Sequence, residues 1–409
     1  MPRNISDNRG STASIALSNL RAVTILIVVT FHSILAYLAS LPNAPYPFDA
    51  PPYRWVAFPV VDSARWFGFD LFCAWLNLSM MALMFFLAGL FTTPSLAAKG
   101  PWTFLSDRLR RIGLPLLPAV IILAPLTYYA AYRLTAADPG VGAYLQSLFG
   151  LPFWPTGPQW FLWELLAFTL VAALLFRVAP GVLLGMAKGA AYLAGSPFRM
   201  FAALIAISAL AYVPLTIFFS QWTWTNFGPI AFETTRPLLY LVYFFAGAAI
   251  GANGLGRGLL ECNGRLARRW WTWLLIAFAG FATWGLASAE TLGDWNAVPA
   301  GIKLAAAAGL LLGCAGGCFF MVGASLRFLQ RRRRVFDSLS ENAYRIYLVH
   351  YLFAVWLQYA LLGADLPAIV KGAIVFAGTL LASWPLSAAL GRIAFISRPL
   401  PVARGMRRA

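Results

Sequence analysis

The chain has 409 residues, 60% of them hydrophobic and 11% charged, with a net charge of +17 and a mean hydropathy of +0.72. A soluble domain carries about a quarter charged residues, so a soluble globular protein is excluded and a polytopic membrane protein is expected. The excess of cations raises the question of nucleic acid, and their placement along the chain decides it.

Ten apolar runs stand out: 18–39, 71–92, 113–133, 159–178, 200–219, 236–253, 271–288, 301–324, 341–362 and 369–394. Most reach the ~20 residues that a bilayer helix needs. The expectation is an all-α protein of about ten transmembrane helices. Residues 1–17 and 396–409 would form cytoplasmic tails, the second of them basic, around one membrane domain at 18–395. The N-terminus is short and polar, and the first run lacks a small-residue cleavage site, so it reads as a signal-anchor helix.

With the N-terminus inside, 24 of the 31 Lys and Arg residues fall in inside segments, six outside and Arg345 within a span. An alternation at every loop sets both termini in the cytoplasm. It also explains the charge by topology and anionic lipid, with no need for nucleic acid. The four cysteines, Cys73, Cys262, Cys314 and Cys318, show no metal-ligand spacing, so no metal site is expected.

The first run reads Arg21-Ala22-Val23-Thr24-Ile25-Leu26-Ile27-Val28-Val29-Thr30-Phe31-His32. A step of eleven residues is three turns plus ~20°, so Arg21 and His32 share one helical stripe, ~16 Å apart along the axis. A titratable group inside a span is a functional-site hypothesis. The outer segment 40–70 is rich in proline, tryptophan and tyrosine, and residues 220–235 hold Trp222, Trp224, Phe227 and Phe232. They suit either an interfacial aromatic belt or a platform that stacks on sugar rings.

The third run holds Pro115, Pro118 and Pro125 and should be kinked. Arg108, Arg110 and Arg111 abut its inner end. They serve as inside anchors or as a phosphate clamp, for which guanidinium geometry is suited. Glu164 lies in the fourth run within Trp163-Glu164-Leu165. An unpaired carboxylate there costs several kcal/mol, so it needs a cavity or a partner such as Arg345 or a histidine. The only two histidines are His32 and His350. Both fall inside spans that start from the cytoplasm, at comparable depths of ~20 and ~14 Å, so one cavity could hold both. Tyr347, His350 and Tyr351 share a helix face, and Glu341 and Arg345 are spaced for an i,i+4 salt bridge.

These pieces resemble, in order, the acyltransferase-3 family of integral membrane O-acyltransferases. Arg21-x10-His32 is similar to its first-span signature. Met84-Phe85-Phe86-Leu87-Ala88-Gly89-Leu90-Phe91 resembles its second-span Phe-Phe-x-x-Ser-Gly-Phe run, with Ala88 and Leu90 replacing Ser and Phe. Arg108-x-Arg110-Arg111-Ile112-x-x-Pro115 resembles its basic entry to the third span. Pro158-Gln159-Trp160-Phe161-Leu162 and Ile346-Tyr347-Leu348-Val349-His350 complete the match across about residues 15–360. The length and layout look most like members that succinylate periplasmic glucans, and no hydrolase-like domain is expected at either end.

The resemblance implies transfer of an acetyl- or succinyl-class group from cytosolic acyl-CoA to a hydroxyl of a glycan or other acceptor at the outer face of a bacterial inner membrane. No bound cofactor is implied; acyl-CoA is the donor substrate, and homo-oligomerisation is left open. Arg21, Arg108, Arg110 and Arg111 would hold the donor phosphates. His32 would act as general base, or as an acyl-carrying nucleophile, with the base role preferred. His350 or Tyr347 would orient it or steady the oxyanion, and Glu164 would contribute to the site. The competing class is a proton-coupled transporter or flippase for a glycan or lipid-linked intermediate. A passive scaffold has no reason to bury His32 and Glu164.

Overall fold

The structure is a computed structural model that describes residues 12–392. Arg3, Arg9 and the basic tail at 396–409 lie outside the described residues. Helix α1 (Thr12–Ile34) leads through a proline-rich loop to α2 (Phe67–Gly89) and the short α3 (Thr92–Lys99). A long helix α4 (Pro101–Arg133) follows, then α5 (Val141–Gly150), α6 (Trp160–Val178), α7 (Pro180–Leu193) and α8 (Pro197–Phe218). An antiparallel hairpin, β1 (Trp224–Phe227) and β2 (Ile230–Glu233), precedes α9 (Pro237–Gly251). The chain closes with α10 (Trp270–Ala289), α11 (Ala300–Phe328), α12 (Arg334–Ala360) and α13 (Ala368–Arg392).

Among the described residues, eight helices are long and apolar enough to cross a bilayer: α1, α2 continued by α3, α4, α6, α8, α10, α11 and α13. The other two apolar runs also fold as helices but are of a different kind. The sixth forms α9, only 15 residues long. The ninth forms α12, which carries Arg334, Asp337, Glu341 and Arg345 in its first half. All six positions from Ile346 to Tyr351 are buried. A helix buried all round is enclosed by protein rather than facing lipid on one side. It packs against α1, α13 and the second half of α4.

Helices without a strong solvophobic drive to associate rely on close approach. Helices α2 and α9 meet through Gly89 and Gly247, where an added Cβ would lie 2.0 Å from the Phe244 carbonyl and 2.1 Å from the Phe86 carbonyl. Helices α10 and α11 meet at Gly280, where a Cβ would lie 2.2 Å from the Gly313 nitrogen. The intervening bundle is a single apolar core that also takes in α1, α6 and α12.

The prolines of α4 act as expected, through widened turns. Two π-helical segments, Leu109–Gly113 and Ala119–Leu123, each stand one residue clear of a proline, Pro115 and Pro125. Their closing bonds run from Leu114 N–H to the Leu109 carbonyl and from Ala124 N–H to the Ala119 carbonyl. A proline donates no amide bond, and the extra residue absorbs the mismatch. The loosened carbonyls are taken by side chains from elsewhere. Tyr344 Oη donates to the Ile112 carbonyl at 2.8 Å and Trp154 Nε1 to the Val120 carbonyl at 2.9 Å.

Several loop contacts agree with the sidedness that the arginine bias sets. On the basic side, Arg265 Nη1 donates to Gly195 O, Asn253 Nδ2 to Ala187 O, and Asn19 Nδ2 to Leu329 O and Arg331 O. On the other side, Trp154 N–H donates to Gly228 O, and Gln221 Nε2 donates to the Ser288 and Thr291 hydroxyls.

The α2–α9 contact sets a stability prediction. Gly247→Val places branched carbons against the Phe86 carbonyl, an overpacking that costs about 1–3 kcal/mol. The thermal unfolding midpoint of the detergent-solubilised protein is expected to fall, whereas Gly181→Ala on α7, with open space around it, leaves it unchanged.

Candidate active site

The outer end of α1 meets α12 at His32. His32 Nδ1 lies 3.1 Å from His350 Nε2, and the ring centroids are 4.9 Å apart. The two histidines expected at similar depth therefore touch. His350 is fully buried, while His32 is half-buried. Tyr351 and Phe31 flank the His32 ring edge-on, each at 5.1 Å. Gln358 Nε2 donates to the His32 carbonyl at 2.8 Å. That carbonyl lies in the last turn of α1, where intrahelical donors run out, so the bond locks the end of α1 onto α12.

The hydrogen bonds fix the tautomers. His350 Nδ1 faces the carbonyls of Tyr347 and Ile346 at 2.8 and 3.2 Å. Carbonyls only accept, so Nδ1 carries the proton, and in the neutral ring Nε2 is a bare acceptor. His32 Nδ1 faces two acceptors, His350 Nε2 and the Val28 carbonyl at 2.9 Å. It therefore carries its proton too. The remaining nitrogen, His32 Nε2, is left with a free lone pair. A base held by its other nitrogen in this way follows the logic of a catalytic triad, with an imidazole in place of the carboxylate.

The remaining expected residues fall in several places. Tyr347 packs beside His350 at 5.7 Å between ring centroids, but its hydroxyl donates to the Pro158 carbonyl. Arg21 is exposed, with its guanidinium 5.5 Å over the Phe91 ring. The like charges of Arg111 and Arg21 both act on Arg108, with Asp107 opposing them. Arg110 and Arg111 are exposed in the first π-helical segment, and Lys99 pairs with Asp107 at 2.5 Å. The cations of α1 and α4 thus gather at one end of the bundle.

Two expected pairings are corrected. Glu164 contacts neither Arg345 nor a histidine; it is 6% exposed and both its oxygens lack a hydrogen-bond partner. Arg345 does not bridge to Glu341, which is exposed. It donates instead to the Ser387 carbonyl at 2.8 Å and to Asn342 Oδ1 at 2.6 Å. Both carbonyl and amide oxygens lie on the inner side of the arginine, where α12 meets α13, and they outcompete a carboxylate that can stay in water.

Sequence reasoning missed the ion pair that holds the outer end of α1. Lys371 Nζ donates to both oxygens of Asp62 at 2.8 and 3.0 Å, and both side chains are essentially fully buried. Asp62 N–H donates to the Ala36 carbonyl at 3.0 Å, just beyond α1. In the sequence Lys371 is one of the six cations on the outside and Asp62 falls in a proline-rich loop. An acid and a base on the same side of the membrane were the only available signal.

Fold and site together define a polytopic membrane protein with a buried imidazole pair and a cluster of arginines on α1 and α4. Residues 14–388 match the family model of the acyltransferase domain. The chain therefore belongs to the acyltransferase-3 family and is a membrane acyltransferase. Neither a curated protein nor a solved structure matches it.

The buried ion pair makes a clear prediction. Lys371→Met strands the Asp62 carboxylate and should destabilise by about 3–5 kcal/mol, while the double variant Asp62→Leu/Lys371→Met should recover most of that loss. Unfolding midpoints of the two variants in the same detergent check it.

Proposed function

We propose that this acyltransferase moves an acetyl- or succinyl-class group from cytosolic acyl-CoA to a hydroxyl of a glycan at the outer face of a bacterial inner membrane. The observation that carries the reading is the His32–His350 contact, which leaves His32 Nε2 as a free base on the same stripe as Arg21. The basic cluster of Arg21, Arg108, Arg110 and Arg111 supports phosphate binding by charge and guanidinium geometry. The ~16 Å rise from Arg21 to His32 is comparable to a pantetheine arm.

In this reading the CoA phosphates rest at the arginines and the thioester reaches His32. His32 Nε2 takes the proton of the acceptor hydroxyl as its oxygen attacks the thioester carbonyl. The C–S bond breaks, and the CoA sulfur leaves with the proton returned from His32. His350 is a positioning residue, because it fixes the His32 tautomer and accepts from Nδ1–H as the ring becomes cationic. Tyr347 supports the turn at Pro158 behind His350.

Variant kinetics and a transport assay test the reading. His32→Ala is expected to lower transfer from labelled acyl-CoA by about 10²–10⁴-fold, the span of general base catalysis. Transfer at the wild-type rate overturns the proposal. Arg21→Ala should raise the apparent KM for acyl-CoA with little change in kcat, the signature of lost ground-state binding. His350→Ala should slow kcat and leave both KM values nearly unchanged. In proteoliposomes, label must appear on the saccharide; an unmodified saccharide that crosses the bilayer instead would favour a carrier.

A further inference from the structure

A second polar centre lies between α2, α6, α9 and the hairpin, away from the imidazole pair. Arg236, 1% exposed at the start of α9, pairs through Nε with Glu233 at 2.7 Å. Its Nη1 donates to the Asn77 carbonyl at 2.7 Å and lies 3.3 Å from Tyr240 Oη. Tyr240 Oη donates to Glu233 at 3.2 Å. Arg236 Nη2 has no hydrogen-bond partner. Glu164 lies one turn along α6 from Trp160, whose ring stacks with Tyr240 of this group. Both Glu164 oxygens are also without a partner.

A bare donor on a guanidinium and two bare acceptors on a carboxylate, all more than nine-tenths buried, are costly to leave unmade. Their chemistry is complementary to hydroxyl groups, which both donate to a carboxylate and accept from a guanidinium. The covering surface is aromatic. Trp160 meets Trp224 of the hairpin edge-on at 5.5 Å and stacks with Tyr240 at 6.2 Å. Trp224 is 43% exposed and Glu233 is partly open, so the centre has an edge on the outer side. Indole faces over a set of charged hydrogen-bonding groups are what a sugar ring requires: apolar C–H faces to stack, hydroxyls around the rim.

We infer that Glu164, Arg236, Trp160 and Trp224 form a subsite for a polyhydroxylated acceptor, holding a sugar unit other than the one acylated. The inference rests on the glycan reading of the function. The placement suits a neighbouring unit rather than the reacting one. From His32 the contacts run through His350 and Tyr347 to Phe161, one turn from Glu164, with Tyr347 and Phe161 5.8 Å apart. The subsite and the base are thus separated by a layer of rings that a chain of two or more sugars would have to pass.

The test uses the full-length protein in nanodiscs with acyl-CoA and soluble glucose tetrasaccharides, α- and β-linked, as probes. Trp224→Ala removes an exposed ring and Glu164→Gln is isosteric. Each is expected to raise the acceptor KM about tenfold, the worth of one charged hydrogen bond or one stacked ring. If the wild-type protein acylates a tetrasaccharide and both variants keep its acceptor KM, the subsite is overturned and the glycan reading stands. If the wild-type protein acylates no tetrasaccharide, the glycan reading falls and takes the subsite with it.

Discussion

An imidazole in a membrane protein is useful as a base only if its proton is on the correct nitrogen, and here one contact decides that. The carbonyls of Ile346 and Tyr347 claim the Nδ1 proton of His350, which makes Nε2 an acceptor, which in turn claims the Nδ1 proton of His32. The free lone pair on His32 Nε2 follows from that sequence of bonds. It depends on α1 lying against α12 in one register. Gln358 at the His32 carbonyl and Asp62 at Ala36 pin that register from both sides of the helix end. The rest of the bundle can be read as the support for this alignment.

The same bonds argue against a relay that carries protons across the membrane. A carrier needs a proton to leave the far side of the pair as readily as it enters the near side. His350 Nδ1 meets only backbone carbonyls, which have no proton to give and none to take away. A proton that reaches His32 Nε2 therefore returns by the route it came. That behaviour suits a base that borrows a proton during group transfer, in line with membership of an acyltransferase family.

Much of this was legible in the sequence because helical geometry is local. The eleven-residue step set Arg21 and His32 on one stripe, and the positions of His32 and His350 along two helices of the same direction brought them to one level. The prolines of α4 announced its irregular course. What could not be read were contacts between distant segments. Nothing in the pattern around Arg236 or Lys371 distinguished a buried ion pair from a loop cation, since both counted as outside charges. The span at 341–362 looked like any apolar run, yet its enclosure depends on three other helices, α1, α4 and α13. Glu164 was recognisable as a buried acid, but its neighbours, Glu233 and Tyr240, come from 69 and 76 residues away.

The choice of a histidine rather than a carboxylate to hold His32 has a physical reason in this setting. Two enclosed carboxylates, the buried Asp62 and the partly open Glu233, each bind a cation, Lys371 and Arg236. Low-dielectric surroundings demand this, because an ion left alone there costs several kcal/mol. A carboxylate behind His32 would have needed its own cation, and that cation would have opposed any positive charge on the His32 ring. A neutral imidazole supplies the acceptor without bringing a charge to be neutralised. It stabilises the cationic ring less than a carboxylate would, but it leaves the pair uncharged at rest, so α12 can run through the middle of the bundle with His350 sealed from water.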